Sequence, residues 1–122
     1  MADNKQYITQ VQENGTVIIS EEVIATIVHH AATEVEGVVG LSGKFNSEIV
    51  ELLGKKNWSK GIKIAIGEND AVSIDCNVVI AYGQSVVSVA SAVQSAISAA
   101  LESMTGVTVA AVNVNVCGIT RQ

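Results

Sequence analysis

Residues 72–119 decide the fold, and they read VSIDCNVVIAYGQSVVSVASAVQSAISAALESMTGVTVAAVNVNVCGI. The opening residues, 72–80, alternate apolar and polar side chains, which predicts a strand with one buried face. Residues 84–104 place apolar side chains at 86, 90, 93, 97, 100 and 104, a spacing of three or four that is typical of one face of an amphipathic helix. Gly106 ends this helix, because glycine adopts the left-handed conformation without a Cβ clash. A second alternating run at 112–116 completes a strand–helix–strand unit, which predicts a right-handed parallel crossover.

The alternation near the C-terminus changes phase. Val107 and Val109 have odd numbers, whereas the valines at 112, 114 and 116 have even numbers. A side-chain period of two cannot keep both sets on one face without an extra residue. We therefore expect a bulge or bend at Ala110-Ala111.

The composition describes one domain with a core of small aliphatic side chains. The chain has 122 residues, of which 48% are hydrophobic, but it contains one Trp, two Tyr and one Phe. The core must therefore consist mainly of Val, Ile and Ala. The formal net charge of −5 argues against a general nucleic-acid-binding protein, which is normally basic. The polar first residues predict no signal peptide, and two cysteines on separate strands favour free thiols in the cytoplasm.

One uncharged run resembles a membrane span. Residues 76–101 contain no Asp, Glu, Lys or Arg, and a spanning helix needs about 20 apolar residues. The run also contains Asn77, Gln84, Gln94, repeated serines and a break at Tyr82-Gly83. A spanning helix is more uniformly apolar, so we predict a strand and a helix of a soluble domain instead.

The first half of the chain predicts a flexible arm, a strand and a capped helix. Residues 1–14 alternate only weakly, so we expect a flexible N-terminal arm followed by a single domain at 15–120. Residues 16–19 predict a short strand. Ser20 then occupies the N-cap position of a helix, where its hydroxyl accepts hydrogen bonds from free backbone amides. The helix is expected to end near Glu34.

The remaining segments complete the order β-α-β-β-α-β. Residues 38–41 predict a short strand, and residues 47–53 a short helix. Residues 62–66 alternate again, and the turn at 67–70 predicts a hairpin into the strand at Val72. The fold class is therefore α/β (α+β). We expect a two-layer sandwich, with two main helices on one face of a mixed sheet of about four strands.

The His and Cys residues do not form a recognisable catalytic or metal-binding pattern in the sequence. His29 and His30 point about 100° apart on a helix and cannot face one metal together, so a solvated helix face is expected. Cys76 shares the phase of the buried strand positions, which predicts an inert thiol, whereas Cys117 belongs to the opposite face. We predict no catalytic residue, no cofactor and no metal site.

Two surfaces are candidates for contacts. The first is a basic segment that contains Lys55, Lys56, Trp58 and Lys60, side chains that meet phosphate or anionic headgroups. The alternative is a solvated loop whose Trp58 caps the edge of the core. We favour this alternative because the basic cluster is short and the chain is acidic overall.

The second surface is the outer face of the sheet, where Asn113 and Asn115 project beside other small neutral side chains. Neutral surfaces associate at little desolvation cost. We therefore expect a homo-oligomer formed through this sheet face or through the serine-rich second helix, with the sheet face favoured.

Several motifs between Gly15 and Ile119 resemble those of one family. They are GTVIISEEVI at 15–24, EGVVGL at 36–41, KGIKI at 60–64, VIAYG at 79–83, MTGV at 104–107 and VNVNVCGI at 112–119. Together they resemble the alkaline shock protein family, the envelope stress response proteins of Gram-positive bacteria. This chain resembles its short members. The second helix departs from the family pattern, because Ser and Ala replace alternating charges there.

The resemblance implies a non-enzymatic cytoplasmic protein of cell-envelope homeostasis. It implies a self-associating structural or scaffold component that reaches the membrane through a separate membrane-anchored protein. No catalytic or cofactor motif accompanies the family. The alternative function is a small RNA-binding module that uses the basic segment, although the acidic net charge makes nucleic acid an unfavourable partner.

Overall fold

The computed structural model describes residues 7–42, 61–67 and 69–121. The predicted helix at 47–53 and the predicted basic segment lie outside the described residues. The elements are, in chain order, β1 (Tyr7–Gln12), β2 (Gly15–Ser20), α1 (Glu21–Thr33), β3 (Val38–Leu41), β4 (Ile62–Ile66), β5 (Ala71–Ala81), α2 (Val86–Thr105) and β6 (Thr108–Thr120).

Strand β5 is the centre of a four-stranded mixed sheet. On one edge it pairs in parallel with β6 along its whole length, from Ala71 opposite Thr108 to Ala81 opposite Thr120. On the other edge it pairs antiparallel with β4 at residues 72–76 and with β3 at residues 78–80. The predicted parallel crossover and the predicted hairpin are therefore confirmed.

Both helices pack on the inner face of this sheet. The even-numbered side chains of β5 have no exposed surface, and they are Val72, Ile74, Cys76, Val78 and Ile80. Helix α1 contacts α2, β3 and β4, and α2 contacts β6. This arrangement confirms the two-layer sandwich, in which amphipathic helices and one sheet face share a core.

The helix ends follow the sequence signals. The Ser20 hydroxyl accepts a hydrogen bond from the backbone N of Val23 at 3.3 Å, as the N-cap prediction required. Ser85 caps α2 in the same way, and Gly106 ends α2 with φ of 74°. This left-handed conformation is the one that glycine adopts without strain.

The buried stripe of α2 agrees in part with the predicted one. It consists of Val89, Val93, Ile97 and Leu101, whereas the sequence indicated positions 86, 90, 93, 97, 100 and 104. Val93 and Ile97 were predicted, and the predicted Val86 and Ala100 are half-buried and pack against the core. Val89 and Leu101 were not predicted. Met104 is 69% exposed, so its assignment to the stripe was wrong.

Residues 7–12, which we expected to belong to a flexible arm, form strand β1. It pairs antiparallel with β2 in a separate two-stranded sheet, with Tyr7 opposite Ser20 and Gln12 opposite Gly15. Ile8 is 2% exposed and joins the core. The Gln10 side chain donates a hydrogen bond to the carbonyl of Thr105 at 2.7 Å. These contacts tie the hairpin to the end of α2.

The bulge predicted at Ala110-Ala111 is confirmed. Val72 lies opposite Val109 and Ser73 opposite Ala111, which leaves Ala110 without a partner in the ladder. A second bulge, which we did not predict, leaves Cys117 without a partner. The first bulge lets Val107 and Val112 both face the core, at 5% and 9% exposure.

Helix α2 is long and apolar enough to cross a membrane by length and composition. The core helix of a soluble domain passes the same test. In this fold the buried stripe of α2 packs against α1 and the sheet. We therefore interpret α2 as a core helix, in line with the sequence.

Two substitutions on α2 test this packing. Val93→Ala removes a fully buried side chain, whereas Val87→Ala trims one that is 75% exposed. We expect Val93→Ala to lower the free energy of unfolding by about 2 kcal/mol and Val87→Ala by less than about 0.5 kcal/mol, measured by urea denaturation. Equal losses would show that α2 does not pack through this stripe.

Candidate functional site

The structure places two of the predicted contact residues together on the outer face of the sheet. Asn113 and Asn115 lie on β6 with exposed side chains, opposite Asp75 and Asn77 of β5. We call these four residues the amide face. The other predicted contact residues, Lys55, Lys56, Trp58 and Lys60, lie outside the described residues.

Hydrogen bonds between neighbouring strands hold the amide face in one geometry. Asn113 Nδ2 donates to Asp75 Oδ1 at 3.0 Å. Asn115 Nδ2 donates to Asn77 Oδ1 at 3.2 Å. Each amide on β6 thereby uses one N–H, and its oxygen accepts no hydrogen bond within the described part of the chain. These two side chains therefore retain donor and acceptor capacity toward solvent or a partner.

Asn77 is fully buried, although the alternation placed it on the open face. The backbone N of Asn77 donates to the carbonyl of Gly61 at 2.9 Å, and its carbonyl accepts from the backbone N of Ser42 at 3.0 Å. Asn77 Nδ2 also donates to the Ser42 carbonyl at 3.5 Å. The end of β3 and the start of β4 thus meet at the edge of β5 beside Asn77, whereas Asn113 and Asn115 on β6 are exposed.

Gly61 makes this close approach of the two segments possible. Its φ is 82°, and a Cβ at this position would clash with the backbone carbonyl of Ser42. Because residues 42 and 61 are far from Asn77 in sequence, no local pattern could have predicted the burial of this side chain.

The two cysteines have opposite environments, as predicted. Cys76 is fully buried, and desolvation together with the negative charge of Asp75 raises the pKa of its thiol to about 12. The thiol therefore stays protonated and unreactive at neutral pH. Cys117 is exposed at the second bulge, where its Sγ donates to the carbonyl of Val78 at 3.5 Å.

A groove of about 630 Å³ lies on the other side of the molecule, against α1. Its walls combine apolar side chains such as Val23, Ile27 and Met104 with the two histidines. His30 is exposed as expected, but His29 is half-buried and its Nδ1 atom is buried without a hydrogen-bond partner. The prediction of a solvated face was therefore wrong for His29.

The described residues contain no group of three or more His, Cys, Asp or Glu side chains placed to hold a metal ion. The two histidine rings meet edge to face, with centroids 5.5 Å apart. What the described part of the chain offers is a hydrogen-bonding surface at the amide face and a partly apolar groove.

The burial of Asn77 generates a stability prediction. Asn77→Ala removes a fully buried polar side chain together with its hydrogen bonds to the Ser42 carbonyl and the Asn115 amide, and we expect it to lower the free energy of unfolding by about 1–3 kcal/mol. Asn113→Ala, at an exposed position of the same face, is the matched control and should cost less than about 0.5 kcal/mol. Similar losses for the two variants in urea denaturation would contradict the burial of Asn77.

The thiols generate a second prediction. At pH 8 an aromatic disulfide reagent should label Cys117 of the native protein rapidly and should label Cys76 only after unfolding, because a thiol with a pKa of about 12 holds almost no thiolate there. The Cys117→Ser variant should lose the rapid phase. Rapid labelling that persists in this variant would place Cys76 at the surface.

Comparison with known proteins identifies the family. A family model matches residues 9–121, and it describes the alkaline shock protein 23 family, which has a cell envelope-related function. No solved structure gives a significant match to the chain.

Relatives occur in Gram-positive bacteria. The chain is 38% identical over 105 residues to the uncharacterized protein YqhY of Bacillus subtilis, which covers 86% of this chain and 77% of that protein. It is 35% identical over 109 residues to the uncharacterized protein Spy1614 of Streptococcus pyogenes, over 88% of this chain and 89% of that protein. The family resemblance drawn from the sequence motifs is confirmed: the chain belongs to the alkaline shock protein 23 family, whose function is related to the cell envelope.

Proposed function

We propose that this protein is a non-enzymatic, self-associating scaffold of the cell envelope that acts from the cytoplasm. The family supplies the relation to the envelope. The proposed action is binding rather than turnover, with a membrane-anchored protein as the partner that holds the scaffold at the membrane. Two free cysteines, one of them exposed, are consistent with a reducing compartment.

The observation that carries the proposal is the uncharged outer surface of β6. No residue of this strand is charged, and the exposed Asn113 and Asn115 both retain hydrogen-bonding capacity. Burying neutral amides that find partners costs little, whereas charged side chains resist desolvation. This surface is therefore suited to contact with another protein.

Helix α2 offers a second neutral surface. Ser88, Ser91 and Ser95 are exposed along it. Ser88 already shares a hydrogen bond of 3.1 Å with the N-cap Ser85, so part of this polar capacity is satisfied within the helix. The amides of β6 point outward with free acceptors, and for this reason the sheet is favoured over the helix.

No observation on the described residues favours the RNA-binding alternative. The Lys and Arg side chains within the described ranges are Lys63 and Arg121. The Arg121 guanidinium lies over the Tyr82 ring, 5.4 Å from its centroid. These two separate cations do not form a phosphate-binding track, so RNA binding is not proposed.

Sedimentation velocity tests self-association. At concentrations on the order of tens of micromolar, complexes with micromolar dissociation constants are largely formed, so the protein should sediment as an oligomer. Asn115→Lys should shift it toward monomer, because a charge on the β6 surface must be desolvated in the contact.

Ser91→Lys is the control, since it adds the same charge to α2 and should leave the oligomer intact. A stronger effect of Ser91→Lys would indicate that the contact lies on α2 instead. If the wild-type protein also sediments as a monomer at all these concentrations, self-association is refuted. Envelope attachment is tested separately, by recovery of the protein with membranes that retain their integral proteins and its loss after mild proteolysis of those membranes.

A further inference from the structure

Strand β6 has a long free edge. It is 13 residues long, and no strand among the described residues pairs with the edge that faces away from β5. On the opposite side of the sheet, β3 and β4 are only 4 and 5 residues long. Proteins usually protect long edges with charges or proline, because an unpaired edge is a template for another strand. β6 contains neither.

The backbone groups that face this edge can be identified from the ladder. Asn77 of β5 directs its backbone N and O toward Gly61 and Ser42, away from β6. Since the direction alternates along a strand, the even-numbered residues of β5 bond to β6. In this register the backbone groups of Asn113 and Asn115 face β5, and those of Val112, Val114 and Val116 face the free edge.

A side-chain contact supports this assignment. Gln94 Nε2 of α2 donates to the backbone carbonyl of Val112 at 2.9 Å. The register of the β5–β6 ladder already directs this carbonyl away from β5, and Gln94 reaches it from α2. The carbonyl also retains a second lone pair for a further hydrogen bond.

We infer that two copies of the protein pair antiparallel through the free edges of β6, with Val114 opposite the partner's Val114. The inference rests on the proposed self-association and specifies its interface. In this register Val112 lies opposite the partner's Val116, and Asn113 lies opposite the partner's Asn115. Two-fold symmetry repeats each pair, as closed dimers require.

The sequence of β6 is self-complementary in this register, which is why a second copy is the occupant. Each valine pair exchanges two backbone hydrogen bonds, and each Asn pair occupies the closer, non-hydrogen-bonded position, with Cα atoms about 4.5 Å apart. Asn113 has a free oxygen and Asn115 a free N–H, so each amide can donate to or accept from its counterpart.

Other registers fit less well. Centring the pair on Asn113 leaves Asn115 opposite the partner's Ala111, and centring it on Asn115 leaves Asn113 opposite the partner's Cys117. A shift by a single residue in the pairing turns valine side chains toward amides. The bulges at Ala110 and Cys117 lie at the two ends of the regular run and limit larger shifts.

Register-specific cross-linking tests this interface. In a Cys117→Ser background, protein with Asn113→Cys is mixed with protein with Asn115→Cys that carries a longer tag, and both are oxidised gently. The directly opposite Cα atoms suit a disulfide, whereas the diagonal like-with-like positions are about 7–8 Å apart. We expect the mixed dimer to exceed either like-with-like dimer by about tenfold or more.

Sedimentation of the reduced variants measures whether they assemble, and the cross-linking pattern measures the register, so the two properties are tested separately. Like-with-like dimers as abundant as mixed ones would refute the register. An oligomer that forms without any cross-link would refute the β6 edge while leaving self-association intact. Monomers by sedimentation, for the wild type as well, would remove the proposed self-association itself.

Discussion

The structure depends on the burial of β5. The even-numbered side chains of this strand fill the core, and both of its edges carry backbone ladders. The backbone groups of β5 are hydrogen-bonded to neighbouring strands on both edges. β3 and β4 share one edge, and β6 pairs with the other. The parallel partner requires a crossover, which α2 supplies on the same face as α1. One face of the sheet is therefore covered by helices, and the helices contribute no layer to the other face.

The polar groups on the sheet face opposite α1 and α2 differ in burial. Where the ends of β3 and β4 meet, Asn77 is buried and its backbone and side chain are hydrogen-bonded to Ser42 and Gly61. On the neighbouring strand β6, Asn113 and Asn115 are exposed, and the side-chain amide of each donates only one of its two N–H groups within the fold. A buried amide must be satisfied within the fold, whereas an exposed amide can use water or a partner. The same row of side chains is thus satisfied within the fold at Asn77 of β5 and keeps free hydrogen-bonding capacity at Asn113 and Asn115 of β6.

Local periodicity predicted the elements in which it was strong. The β5–α2–β6 unit, the Ser20 cap, the Gly106 end and the bulge at Ala110 all follow from spacing over a few residues, and so does the outward position of Asn113 and Asn115. Distant contacts determined the rest. The phase of α2 depends on which side chains fill the core, and β1 was missed because apolar Tyr7 and Val11 lie on its exposed face. The environment of Asn77 includes Ser42 and Gly61, which are distant in sequence. The bulge at Cys117 could not be predicted from the valines at 112, 114 and 116, because their alternation is regular up to that point.

Amide hydrogen exchange along β6 tests most directly whether its free edge is the contact between copies. In dilute monomer the amides of Val114 and Val116 should exchange rapidly, whereas those of Asn113 and Asn115, bonded to β5, should exchange slowly. At concentrations on the order of tens of micromolar the two valine amides should become protected as the edges pair. Valine amides that are as protected as the asparagine amides in the dilute monomer, or that keep exchanging rapidly in the oligomer, would contradict this assignment.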